Sequence, residues 1–96
     1  MKTLDNTTAK QASEQVSDIQ FWGNGDTFKL ISKASSKKER WMKSTKAMQI
    51  EGVGCVVQVT TQQENSIAEA VTFVPGVKIE ETIQDNKIVS RKLIAF

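Results

Sequence analysis

The stretch CVVQVTTQ, residues 55–62, shows the clearest alternation of apolar and polar side chains in this chain of 96 residues. Alternate side chains form two sets, which are Cys55, Val57, Val59 and Thr61 on one side and Val56, Gln58, Thr60 and Gln62 on the other. In a β-strand successive side chains point to opposite faces. The stretch therefore predicts a strand with one face in a core and the other in water.

The next apolar stretch, IAEAVTFV at 67–74, is the expected antiparallel neighbour of this strand. With a three-residue connection between the two, Val59 opposes Val71 and Val57 opposes Phe73. We expect this register because burial favours it. It collects a single apolar face, which consists of Cys55, Val57, Val59, Val71 and Phe73.

Turn residues occur at three other places in the chain, which are Asn24-Gly25, Pro75-Gly76 and Asp85-Asn86. Asn-Gly and Asp-Asn accept the positive φ angles of tight turns, and proline interrupts a strand. TFKLISK at 27–33 follows the first turn as a strand, and the segments 77–84 and 87–96 form a hairpin around the last. Unbroken pairing in that hairpin places Glu80 opposite Arg91.

Residues 37–50 fit two kinds of structure. A helix is indicated by a capping box at Ser36 and Glu39 and by an apolar helical face that begins at Trp41. A strand is indicated by the alternation that ends at Ile50 and by the loop residues EGVG that follow it. We favour a strand from about Trp41 to Ile50.

Near the start of the chain, Thr8 and Gln11 form a second capping box, and apolar residues then recur at steps of three and four. This pattern predicts a short helix from about Ala9 to Gln20. We expect an α+β fold, in which this helix lies on a five- or six-stranded antiparallel sheet or small barrel. Residues 1–96 form a single domain, with 1–20 as a helix or a flexible arm.

The composition argues against catalysis. The chain has no histidine and one cysteine, which removes histidine-based acid–base chemistry and leaves too few ligands for a structural zinc. Cys55 lies on the apolar face of its strand and is expected to be a core residue. We expect no enzymatic activity, no catalytic residue, no metal and no cofactor.

Positive charge is concentrated in one segment. Residues 1–28 have a net charge of −2, residues 29–46 of +6, and residues 47–96 of −2. The candidate binding residues for nucleic acid or an acidic partner are Lys29, Lys33, Lys37, Lys38, Arg40, Trp41, Lys43 and Lys46. Lysines with an interleaved aromatic suit single-stranded nucleic acid. We favour the other interpretation, in which the lysines solvate an edge and Trp41 packs into a thin core.

The phrases FWGNGDTFKLISKAS, WMKSTKAMQIEGVGCVVQVTTQQ and AEAVTFVPGVKI, within residues 21–79, resemble those of small, uncharacterised proteins carried by tailed bacteriophages and prophages. The resemblance implies a setting inside the host cell and no particular activity. The absence of an apolar run at the start also fits a soluble, cytoplasmic protein with no membrane partner.

From these observations we expect a non-enzymatic phage accessory protein that binds a host or phage macromolecule. A homo-oligomer is expected, because Leu, Ile, Val and Phe make up 24 of the 96 residues and the core is thin. The alternatives are a single-stranded nucleic-acid-binding protein that uses residues 29–46 and a minor structural component of the virion.

Overall fold

The computed structural model describes residue 14 and residues 16–96 of the chain. Its strands are β1 Lys29–Ser36, β2 Trp41–Ile50, β3 Gly54–Gln63, β4 Ser66–Pro75, β5 Val77–Gln84 and β6 Lys87–Ala95. β1 to β4 form an antiparallel sheet in chain order, and β5 and β6 form a separate two-stranded antiparallel sheet. The predicted antiparallel strands are confirmed, and the segment with two interpretations is the strand β2.

The expected α+β fold is wrong, because the elements of the described residues are six β-strands. In the predicted helix, residue 14 has helical backbone, residues 16–20 are turn and irregular backbone, and residues 9–13 and 15 lie outside the described residues. A helix in a protein is stabilised mainly by packing of its apolar face. Within residues 16–20 this face consists of Val16 and Ile19, and such β-branched side chains lower helix propensity.

The expected single sheet or barrel is also wrong, because the chain leaves the first sheet after β4. Pro75 is the last residue of β4, and its ring fixes φ at about −65°, away from the usual φ of an antiparallel strand. Gly76 has φ of 73°, a left-handed conformation that glycine adopts without steric cost. The predicted break at this pair is confirmed, and it begins a second sheet instead of a turn within the first.

The predicted register between β3 and β4 is wrong by one residue. The connection is a two-residue turn of Glu64 and Asn65, with Glu64 at φ of 53°. Val59 therefore opposes Ala70, and Val56 opposes Phe73. Short two-residue turns match the twist of paired strands, and a one-residue change in register moves every side chain of β4 to the other face.

The last hairpin turns at Asp85 and Asn86, as predicted, with φ of 54° and 63°. Its pairing shifts by one residue between Thr82 and Ile83. A bulge of this kind adds one residue to one strand. Arg91 therefore opposes Glu81, and the predicted pairing of Arg91 with Glu80 is wrong.

The two sheets meet over the face of the larger sheet that carries Ala47, Gln49 and Cys55, called here the inner face. The Cys55 thiol donates to the Val77 carbonyl at 3.6 Å, and the Ile79 N–H donates to Gln49 Oε1 at 2.8 Å. Ala47 and Cys55 are fully buried. One part of the core therefore lies where the β5–β6 hairpin covers this face. The opposite face also has buried side chains, which are Met42, Ser44, Thr60 and Gln62.

Candidate interaction surfaces

The basic segment is the β1–β2 hairpin and its turn. Residues 37–40 form the turn, in which Arg40 has φ of 62° and the Glu39 N–H donates to Ser36 Oγ at 3.1 Å. The Ser36–Glu39 pattern thus closes a turn and does not start a helix. Lys37, Lys38 and Arg40 are all exposed at this end of the sheet. They form what we call the basic turn.

The other candidate residues are divided between the two faces of the sheet. Pairing puts Lys29, Trp41 and Lys43 on the inner face. Lys33 and Lys46 lie on the opposite face, called here the outer face. The structure therefore brings Lys37, Lys38 and Arg40 together and separates the remaining lysines. Alternation separates Lys43 from Lys46, and the register shift between Leu30 and Ser32 puts Lys33 on the face opposite to Lys29.

Trp41 is half-buried beside the basic turn, and its polar atom and ring face are both in use. Its indole Nε1 donates to Glu39 Oε1 at 3.2 Å. Lys43 Nζ lies 6.0 Å from the ring centroid, at the outer limit of a cation–π contact. A nucleic-acid base that stacked on this face of the ring would compete with Lys43.

A second surface lies on β4, the edge strand next to β3. Ile67, Val71 and Phe73 point to the outer face and are 56%, 59% and 46% exposed. Sequence reasoning missed this apolar strip because it paired these residues with the buried side of β3. The feature that would have revealed it is the two-residue turn at Glu64 and Asn65.

The single charged side chain of β4 is turned toward its own sheet. Glu69 Oε1 accepts hydrogen bonds from Gln58 Nε2 at 3.0 Å and from Thr60 Oγ1 at 3.1 Å. Charged side chains, lysine above all, are the usual protection of an edge strand against pairing with another chain. β4 has no lysine, and its carboxylate is already bonded to β3.

The free backbone groups of β4 can be assigned from its pairing. The Gly76 N–H donates to the Val53 carbonyl at 2.9 Å, in line with the register of β3 and β4. Bonded residues alternate along an antiparallel strand. The backbone groups of Ala68, Ala70 and Thr72 therefore bond β3, and those of Ile67, Glu69, Val71 and Phe73 face the open edge.

Cys55 has the environment of an inert core thiol. It is fully buried, and burial raises the pKa of the Cys55 thiol above its ordinary value. The reactive form of cysteine is the thiolate, which burial disfavours. The expectation that Cys55 is a core residue is confirmed by its position.

A cleft of about 380 Å³ lies between the two sheets, with Gln49, Ile79 and Glu81 in its lining. Gln49 bonds the Ile79 N–H and Glu51, and Glu81 Oε2 accepts from Arg91 Nε at 2.7 Å. These polar groups hold the hairpin to the sheet. They are engaged within the protein instead of being directed at a ligand.

Across residues 14 and 16–96, no three acidic or cysteine side chains converge into a group that could hold a metal ion. Over the same residues, no helix has the length and apolar character needed to cross a membrane.

Over residues 29–95, the fold consists of two antiparallel sheets with an exposed basic turn and an exposed apolar edge strand. The family model of the Lockin family matches residues 1–94, and the chain belongs to this family. No curated protein and no solved structure is significantly similar to the chain.

Proposed function

We propose that this chain is a non-enzymatic phage accessory protein that acts in the host cytoplasm by binding an acidic macromolecule. The phage setting is supported by the resemblance within residues 21–79. Binding without catalysis is supported by the sequence, which has no histidine, and by the burial of Cys55.

The observation that carries the proposal is the basic turn. Lys37, Lys38 and Arg40 are all exposed, and they lie within a turn of four consecutive residues. The carboxylate of Glu39 accepts a hydrogen bond from Trp41 and offsets one of these charges, so the turn keeps an excess of two positive charges. A concentrated charge of one sign steers an oppositely charged partner to its docking site.

An acidic protein fits this surface better than a nucleic acid does. Binding of single strands combines phosphate contacts with bases stacked on exposed aromatic rings. The ring of Trp41 is half-buried and lies beside Lys43, and the lysines of β1 and β2 are split between two faces. A protein partner with clustered carboxylates needs only the three side chains of the turn.

The test compares two charge-reversed double variants of the tagged chain. K37E/K38E alters the basic turn, and K78E/K87E makes the same change in charge at two exposed lysines of the β5–β6 hairpin. Host and phage proteins retained by each are quantified by mass spectrometry. We expect an acidic protein that K78E/K87E retains and K37E/K38E loses. Equal retention by both variants would contradict the role of the turn.

Single-stranded nucleic acid is the second candidate, because Lys29, Trp41 and Lys43 lie on one face next to the basic turn. Anisotropy of a labelled oligothymidylate at 50 and 200 mM salt separates the two. Contact with six or more phosphates gives binding that weakens by about 10³-fold between these salt concentrations. The proposal for a protein partner predicts no binding at either salt concentration.

A further inference from the structure

We propose that β4 pairs antiparallel with β4 of a second copy of this chain, about a two-fold axis at Ala70. The two four-stranded sheets then become one continuous sheet across the dimer. This inference goes beyond the proposed function, and it assigns a surface and a register to the homo-oligomer that the composition leads us to expect.

The open edge of β4 is suited to pairing. The N–H and C=O groups of Ile67, Glu69, Val71 and Phe73 face away from β3, as the bond from Gly76 to Val53 establishes. An edge of this kind is a template for another strand. Every residue of β4 from Ser66 to Phe73 is exposed.

The chemistry of the edge selects a largely apolar partner. Glu69 is the one charged side chain of β4, and its carboxylate accepts hydrogen bonds from Gln58 and Thr60 of its own sheet. Its side chains are Ile67, Val71 and Phe73 on the outer face and alanine and threonine on the inner face. A second β4 strand has these same properties.

The sequence of β4 is complementary to itself about Ala70. Antiparallel pairing at this centre puts Ile67 opposite Phe73 of the second copy, and Ala70 opposite its own equivalent. Aromatic and β-branched side chains are a favourable cross-strand pair. Glu69 opposes Val71 of the second copy, so the two carboxylates are not directly opposite each other.

The position of Pro75 fixes the centre. Pro75 has no N–H, and its nitrogen faces the open edge, since it alternates with Val71 and Phe73. Pairing about Val71 would place Pro75 opposite Ile67 of the second copy and lose a hydrogen bond. Pairing about Ala70 places Pro75 beyond the last strand pair, and all four outward-facing residues of each copy form hydrogen bonds.

The thin core supplies an independent reason for a second copy. Among the described residues the buried hydrophobic side chains are Met42, Ala47 and Cys55. Small domains gain stability when oligomerisation buries further apolar surface. The β4 pairing sets the exposed side chains of Ile67, Val71 and Phe73 beside those of the second copy and so removes part of their apolar surface from water.

Native mass spectrometry and light scattering of the chain alone test the surface. We expect a wild-type mass of twice 10.7 kDa, and a monomer for both V71P and V71K with unchanged circular dichroism. V71P removes the N–H that faces the open edge and leaves the hydrogen bonds to β3 in place, and V71K adds a charge there. The control I83K adds the same charge at an exposed position of β5 and should leave the dimer intact.

A cysteine pair tests the register. A70C should form a covalent dimer under mild oxidation, because opposed residues at the axis approach within disulfide range. T72C should not, since Thr72 would oppose Ala68 of the second copy. A monomeric wild type, a V71K dimer, or equal crosslinking of A70C and T72C would overturn the inference.

These results are independent of the partner experiment. A chain that is monomeric, or dimeric through another surface, removes the β4 pairing and leaves the binding role of the basic turn in place. If the chain is a β4 dimer and K37E/K38E retains every partner, the β4 pairing stands and the binding role of the basic turn is removed.

Discussion

Val56 of β3 lies directly opposite Phe73 of β4, and both side chains are on the outer face of the four-stranded sheet. Alternation alone pairs Phe73 with Val57, on the inner face. The difference of one residue leaves Phe73 46% exposed instead of buried in a core. The apolar strip of β4, and with it the proposed dimer surface, follows from this pairing.

Arg91 joins the two sheets. Its guanidinium donates to Glu81 at 2.7 Å and to the Leu30 carbonyl at 3.2 Å. We expect Arg91→Met to lower the free energy of unfolding by about 1–2 kcal/mol, because a part-buried carbonyl and carboxylate lose a charged donor. Urea denaturation followed by circular dichroism measures the change.

The matched control for Arg91 is Lys92→Met on the same strand. The Lys92–Glu80 ion pair is 3.5 Å long and both side chains are largely exposed. Exposed pairs contribute little, so we expect a change of less than about 0.5 kcal/mol. Equal losses in the two variants would show that Arg91 does not hold the sheets together.

Gln49 satisfies a backbone donor of the second sheet. Its Oε1 accepts the Ile79 N–H at 2.8 Å in a part-buried position. We expect Gln49→Leu to lower the free energy of unfolding by about 1–3 kcal/mol, because the Ile79 N–H loses its acceptor. Gln84→Leu, the same change at an exposed position of β5, should cost less than about 0.5 kcal/mol.

Because the Cys55 thiol is buried, we expect the protein to lose stability at alkaline pH. Burial raises the pKa of the Cys55 thiol above its ordinary value of 9.0, so the unfolded chain releases this proton at lower pH than the folded chain does. The contribution of the buried neutral thiol to the free energy of unfolding is therefore fully present below about pH 9. It is lost as the pH rises through the pKa of the folded state.

Urea midpoints of wild type and Cys55→Ala between pH 7 and 10.5 isolate this effect from lysine titration. We expect the difference between the two proteins to narrow as the pH rises above 9. A difference that stays constant over this range would rule out a buried neutral thiol.

Trp41 reports on what binds the basic turn. In a Trp22→Phe background, Trp41 is the remaining tryptophan. We expect its emission to be unchanged by short single-stranded DNA at physiological salt, because its ring is half-buried and Lys43 lies 6.0 Å from the ring centroid. Strong quenching would indicate base stacking and favour the nucleic-acid alternative.

The strands of this protein were largely predictable from its sequence because alternation and turn residues agree. The period-two pattern predicts β2 and β3, and the turn at Asp85-Asn86 is found where the residue types place it. The registers of the strand pairs were not predictable, because one residue more or less in a turn, or one bulged residue, changes the whole pairing. The turn at Glu64 and the bulge in β6 each shift the pairing by one residue.

The candidate site shows the same division. The segment 29–46 could be chosen from charge alone, and alternation predicts that Trp41 and Lys43 share a face opposite Lys46, as they do. The bonds that occupy Trp41 and Glu39 depend on side-chain positions in a turn with a left-handed Arg40. A helical capping box and this turn use the same residue types at the same spacing.

Amide hydrogen exchange in β4, measured by NMR at several protein concentrations, tests most directly the claim that this strand presents an edge for a second copy. We predict that the Ala70 amide, which bonds β3, is protected at every concentration. The Val71 amide, which faces the open edge, should gain protection as the dimer forms. A Val71 amide that exchanges rapidly at all concentrations, or an unprotected Ala70 amide, would contradict the account.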